Sequence, residues 1–185
     1  MPEIEIRPPT SEDIPKLVEI DHDYVSDHVW QMEVQRESGQ KPSELRVEII
    51  FRQLKLPRSV RVEYPRLSTA LNNDWKDRSC LLVAALQGEV VGYASMMLTI
   101  ASHTSWMTDL VVMRRLRRQG IGSALVLAGQ DWARHKRCQR MVMEMQPKNY
   151  PAICLAQKLG YDLCGFNDHY FPNRDIALFF SKSLR

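Results

Sequence analysis

Apolar positions recur along this chain at two spacings, one suited to strands and one to helices. Ile4 and Ile6 alternate with Glu3, Glu5 and Arg7, which predicts a short strand stopped by Pro8-Pro9. Thr10 then stands as an N-cap, Glu12 and Asp13 fall in the first turn, and Ile14, Leu17 and Val18 begin a helical face. Asp21 to Leu56 is expected to be a second helical region, broken at Gly39 to Pro42. Ser43 would cap its last helix, which carries Leu45, Ile49, Ile50 and Leu54 and ends at Pro57. Leu81 to Leu86 and Val90 to Leu98 flank Gln87-Gly88-Glu89 and predict a hairpin, with a turn following at Ala101 to Thr104.

The most informative stretch begins next. Trp106 to Val112 is a strand ending in the β-branched run Leu110-Val111-Val112. A cationic turn, Arg114-Arg115-Leu116-Arg117-Arg118-Gln119, leads into Gly120-Ile121-Gly122-Ser123, and Ile121, Leu125, Ala128 and Trp132 then fall at helical spacing. The first N–H groups of a helix have no partner inside it, and glycines let an anion come close to them. With the helix dipole and the guanidinium groups, the turn suits a phosphate or pyrophosphate. Two nucleotide motifs fail here. A dinucleotide fingerprint needs a third glycine where Leu125 stands and an acid near the place held by Arg140, and no Gly-Lys-Ser/Thr run completes a P-loop.

The helix from Gly120 ends in Arg134, His135, Lys136 and Arg137, cations suited to a helix C-terminus. Met141 to Gln146 reads as a strand. Pro147 to Ala152 opens a helix with Ala152, Leu155, Ala156 and Leu159 on one face and Gly160 as its stop. Asp162 to Phe166 and Ile176 to Phe180 are the last expected strands. This order predicts one α/β (α+β) domain over residues 1–185, a mixed sheet flanked by helices.

At 185 residues and 44% hydrophobic the chain can build a real core, and a net charge of +3 makes the arginine cluster local rather than part of a generally basic surface. Nucleic acid is therefore not an expected partner. No apolar run approaches a membrane span, and the start MPEIEIRPP lacks the regions of a signal peptide. Cys80, Cys138, Cys154 and Cys164 show no zinc or redox spacing, which points to reduced thiols in a cytoplasm. Asp21, His22, Asp23, Asp27 and His28 do not share a helix face and match no ligand set, so no metal is expected.

The run Arg117-Arg118-Gln119-Gly120-Ile121-Gly122 resembles the Gln/Arg-x-x-Gly-x-Gly/Ala signature of the GNAT superfamily of N-acetyltransferases. The opening IRPPTSEDIPKL looks like that family's first strand and helix, and MEMQPKNYPAICLAQKLGY, Met143 to Tyr161, like its later strand and helix. The resemblance implies a mostly antiparallel sheet of six to seven strands, splayed at the fourth and flanked by about four helices, with acetyl-CoA as co-substrate. It implies that main-chain groups of Leu110, Val111 and Val112 run beside the pantetheine arm. N–H groups of Arg118, Gln119, Gly120, Ile121, Gly122 and Ser123 would hold the pyrophosphate, Arg117 or Arg118 would reach a phosphate, and Asn149 would touch the cofactor arm or act as an N-cap.

The implied activity is transfer of acetyl from acetyl-CoA to a primary amine by direct attack in a ternary complex. A lysine-like amine costs about 4–5 kcal/mol to deprotonate at pH 7 and a peptide α-amine only about 1, so a carboxylate base is useful. Glu144 matches the glutamate of ribosomal-protein-type N-terminal acetyltransferases, and Asp109 lies on the splayed strand. The tyrosine that many members use to protonate the thiolate is replaced by Ala156, for which Tyr150, Tyr161 or Tyr170 could substitute. The tail HYFPNRDIALFFSKSL resembles the end of protein N-terminal acetyltransferases, which hints at a protein or peptide N-terminus. Small amines stay open, because Asp21, Asp23 and Asp27 would attract a cation. The competing reading is a catalytically lapsed acyl-CoA sensor. A homodimer is left open.

Overall fold

The computed structural model describes residues 4–38, 45–98 and 103–185. Seven strands form one sheet in the order β1-β4-β5-β6-β7-β9-β8. These are β1 (Ile4–Arg7), β4 (Cys80–Leu86), β5 (Glu89–Leu98), β6 (Thr104–Val112), β7 (Arg140–Met145), β8 (Asp162–Asn167) and β9 (Ala177–Ser183). Every pairing is antiparallel except β6–β7. The helices are α1 (Asp13–Val18), α2 (Leu71–Asp74), α3 (Ile121–His135) and α4 (Tyr150–Lys158). None of the described helices is long and apolar enough to cross a membrane.

Local chemistry explains most of these elements. Gln87 and Gly88 both hold positive φ, 52° and 83°, as a type I′ turn requires, and so join β4 to β5 in tight register. The core lies between the sheet and α3, where Ile121, Leu125, Val126 and Ala133 meet Met96, Met107, Met141 and Met143. The buried stripe continues from Leu125 through Gly129 to Ala133 rather than through Ala128 and Trp132, which stay half-buried. A Cβ on Gly129 would stand 3.2–3.4 Å from Met107, Met141 and Met96, so the missing side chain brings α3 close to the sheet.

At α1 the cap differs from expectation. Glu12 occupies the N-cap without a side-chain bond, and the buried Asp13 carboxylate instead reaches back to the Thr10 N–H at 2.7 Å and takes both Arg7 nitrogens at 2.7 and 3.1 Å. The Arg7 guanidinium and the Thr10 groups hold its pKa down at about 2.

The helical region expected from Asp21 to Leu56 is overturned. Strands β2 (Tyr24–Ser38) and β3 (Leu45–Val62) form a long antiparallel hairpin of their own. Trp30, Met32 and Val34 pair with Gln53, Phe51 and Ile49, so apolar side chains alternate with a period of two, which wins over the helical spacing read there. Pro57 ends no helix. It sits in Leu56–Ser59, the extra residues between the Ser26–Val60 and His28–Lys55 pairs, where no ladder donor is needed. Trp30 anchors the hairpin, with its main-chain N–H donating to the Pro147 carbonyl at 3.0 Å and its ring 6.0 Å from that of Phe180. The break expected at Gly39–Pro42 and the cap at Ser43 lie outside the described residues, as does the Ala101–Ser102 part of the expected turn.

Candidate active site

The site begins where two parallel strands separate. β6 and β7 pair only from Thr104–Arg140 to Met107–Met143. Thr108 is then an extra residue against β5, since Ser95 pairs with Asp109 and Met96 with Met107, and a bulge of this kind bends its strand. Beyond it β6 follows β5 to Val112, while β7 follows β9 to Met145, and a wedge opens between them. Met107, Thr108 and Leu110 line one wall and Met143 to Gln146 the other, with Asn149 and Ala152 at the side. Met113 donates its N–H to the Val91 carbonyl, so by alternation the main-chain groups of Leu110 and Val112 point away from β5 and those of Val111 toward it. A Cβ on Gly92 would lie 2.6 Å from the Val111 oxygen; only hydrogen fits this crossing of β5 and β6.

The glycine turn follows the end of β6, with Gly122 near Val112 and Leu155 of α4. Arg118 and Gly120 hold φ of 67° and 89°, which turns the chain sharply into α3, and no side chain caps that helix. Its first-turn N–H groups, from Ile121, Gly122 and Ser123, therefore lack intrahelical partners. Packing does not demand glycine at 122, because a Cβ there would meet Leu155 at an ordinary 3.4 Å. Arg118 and Gln119 are exposed. Arg117 is committed elsewhere: its guanidinium donates to the Val112, Asp23 and Asp21 carbonyls, each at 2.8 Å, and ties the α1–β2 turn to the end of β6. Asn149 lines the wedge and also caps α4, its Oδ1 accepting from the Ala152 N–H at 3.2 Å.

Arg66, which sequence reasoning missed, links Glu144 in the wedge to Asp109 on the neighbouring cavity. The Glu144 side chain is fully buried, with Oε1 accepting from Arg66 Nη2 and Oε2 accepting from the Tyr170 hydroxyl at 2.7 Å. Arg66 also donates to the Thr108 carbonyl at 2.8 Å, lies 3.8 Å from Asp109 Oδ1 and stacks 5.2 Å over the Phe171 ring. Asp109, buried as well, accepts from the Tyr64 hydroxyl at 2.8 Å and from Arg78 Nη1 at 2.7 Å. Burial pushes the Tyr64 hydroxyl well above its usual pKa, with the Asp109 charge adding to the effect.

Tyr64, Arg66 and Phe171 form a wall shared with a second cavity of about 490 Å³. That cavity is lined by His22, Tyr93, Asp109, Asp74 and Arg78 among others, and by Tyr170 at its rim. Of the three tyrosines considered for the place of Ala156, only Tyr170 lines it. Tyr161 is buried against Gln130, its pKa pushed up to about 12 by that burial, and Tyr150 stacks 4.4 Å from the His28 ring. Ala156 itself is buried in the core. Arg66, Arg78 and Tyr64 carry no motif, and His22 stands out in sequence only within the Asp/His group considered for a metal. The aromatic-Pro-basic run Tyr64-Pro65-Arg66 was the sole local hint, and only the fold sets it against residues more than 40 positions away. Asp21 and Asp23, once weighed for a metal or a cation, both take Arg61.

A sequence profile described as the acetyltransferase (GNAT) family matches residues 48–161. The chain belongs to the GNAT acetyltransferase family. Among solved structures, nourseothricin acetyltransferase superposes with a TM-score of 0.80 at 18% identity, over 98% of this chain and 99% of that one. A candidate streptothricin acetyltransferase from Bacillus anthracis str. Ames, in complex with acetyl coenzyme A, gives 0.73 at 16% identity, over 98% and 99%. The ribosomal-protein-S18-alanine N-acetyltransferase from Escherichia coli gives 0.66 at 14%, over 98% and 94%. At these identities the likeness is one of fold. A search of curated protein sequences finds no relative.

Proposed function

We propose that this enzyme transfers the acetyl group of acetyl-CoA directly to a primary amine in a ternary complex. The observation that carries the reading is the shared wall, since a wedge suited to a thioester arm and a cavity suited to a small molecule meet at Arg66. The pyrophosphate lies on the N–H groups of residues 118–123 with Arg118 beside it, each charge-assisted bond being worth about 1.5–3 kcal/mol. The pantetheine arm runs along the open edge of β6 past Leu110, Val111 and Val112, as an added strand would, with Asn149 opposite. The acetyl carbonyl then reaches the wall between the cavities.

The acceptor is a small amine. A volume of about 490 Å³ fits the range of small-molecule sites, and the neighbours named for nourseothricin and streptothricin acetylation support this choice over a protein N-terminus. Glu144 and Asp109 act at the reacting centre as the anions that hold Arg66, Arg78 and Tyr170 around it, because each is already compensated by a guanidinium group. Tyr170, its hydroxyl held by Glu144 and its ring partly exposed, protonates the departing thiolate. Thiol release from acetyl-CoA should be measured with spermidine, L-lysine and an alanine-terminated peptide. Amine-dependent release, fastest with a small amine, is expected. Binding of acetyl-CoA with no thiol from any of the three would replace the enzyme by a sensor.

A further inference from the structure

The cavity beside the wall contains a further base, His22. His22 follows α1, and its ring lies 5.5 Å from that of Tyr64 and 5.7 Å from that of Tyr93. Its Nδ1 is 2.5 Å from the Ile20 carbonyl oxygen, which can only accept, so Nδ1 carries the hydrogen and Nε2 keeps a lone pair. Nε2 is 3.0 Å from the Tyr93 hydroxyl, which therefore donates to it and leaves its own oxygen lone pairs for a further donor. Both residues line the cavity. The charged groups facing the imidazole are Asp21 of its own turn, Asp109 of β6 and Arg117 after β6. Burial outweighs the Ile20 carbonyl and the two carboxylates and holds the imidazole below its usual pKa, which favours the neutral form. Glu144 and Asp109 already accept hydrogen bonds from a guanidinium and a tyrosine hydroxyl each, so their oxygens are engaged within the protein.

We propose that Tyr93 and His22 form the proton relay that deprotonates the acceptor amine, a step that rests on the acetyltransferase reading above. The ammonium gives one proton to the Tyr93 oxygen while the Tyr93 proton passes to His22 Nε2, and the neutral amine remains. Its nitrogen attacks the acetyl carbonyl, the C–N bond forms and the C–S bond breaks. The thiolate takes the Tyr170 proton, and the second nitrogen proton replaces that one through solvent. His22 returns its proton to water, so each turnover releases one. Tyr93 is the group that touches substrate, and His22 acts through it.

The test uses Tyr93→Phe and His22→Gln with whichever of spermidine, L-lysine or the peptide turns over. Tyr93→Phe keeps the ring and its packing, so its loss is that of the hydroxyl alone. Each variant is expected to lower kcat by about 10²-fold, the lower range for a general base, with acetyl-CoA affinity unchanged. In the wild type kcat/KM should fall on the acid side as His22 takes a proton, and that limb should flatten in both variants. Methoxyamine, already neutral at pH 7, should lose far less in both. Wild-type rates in the variants, or slower rates with the acid limb intact, would overturn the relay while leaving the transferase reading in place. Absence of thiol release in the wild type with every amine would remove both.

Discussion

The two halves of the site are built in different ways. The wedge half comes from consecutive elements, β6, the glycine turn, α3, β7 and α4, and its key groups are main-chain amides whose direction follows from local geometry. The acceptor half is assembled from side chains far apart in sequence, with Arg66 meeting Glu144 and Tyr64 meeting Asp109 across 78 and 45 positions. A site made of backbone tolerates much side-chain change, whereas a site made of paired charges depends on each partner. Acetyl donor binding and acceptor chemistry should therefore fail separately when each half is altered.

The largest separation is expected from Gly122→Glu. The new carboxylate would stand where the pyrophosphate is proposed to lie, at a position with room for a Cβ. Loss of one or two charge-assisted bonds should weaken acetyl-CoA by about 10²–10³-fold in calorimetry, with the melting temperature little changed. In the acceptor half, Arg66→Ala leaves the buried Glu144 without its cation. Because the Arg66 side chain is 29% exposed, the cost should be about 2–3 kcal/mol, below the range for fully buried pairs. Chemical denaturation measures this, and Arg66→Ala with Glu144→Gln together should cost less than the sum of the two. Acetyl-CoA affinity should respond much less to Arg66→Ala than to Gly122→Glu.

A pH effect separates the scaffold from both halves. The Asp13 pKa is held at about 2, well below its unfolded value, so its pairing with Arg7 stabilises the fold above about pH 4 and is lost as pH falls toward about 2. Asp13→Asn should be less stable at pH 7 by about 1–2 kcal/mol, and the difference should vanish near the folded pKa. The smallest effect is expected at the turn's rim. Arg118→Ala should weaken acetyl-CoA by about tenfold or less at low salt, with the loss shrinking as salt rises, because the side chain is exposed.

Sequence reading followed the same division. The hairpin at Gln87-Gly88, the strand before the glycine turn, α3 and the Gly160 stop were legible because turn chemistry and periodicity act within a few residues. The helical region expected from Asp21 to Leu56 is instead built around strands β2 and β3. Trp30, Met32 and Val34 alternate with Gln31, Glu33 and Gln35, a strand pattern, but Leu45, Ile49, Ile50 and Leu54 also fit a helical spacing, and the partner Val47-Ile49-Phe51 lies across the hairpin. In the site, Glu144 and Asp109 follow from the family resemblance and Tyr170 is one of three candidate tyrosines, yet nothing local marks Arg66 as the group that contacts both carboxylates. Arg117 looked like a phosphate ligand from its motif, and only the fold shows three carbonyls taking its donors.

A crystal structure with coenzyme A bound tests the central claim most directly. The diphosphate is expected on the amides that open α3, the pantetheine arm along the free edge of β6, and the thiol at the wall formed by Tyr64, Arg66 and Phe171. Coenzyme A seated away from the wedge, or with its thiol remote from that wall, would contradict it.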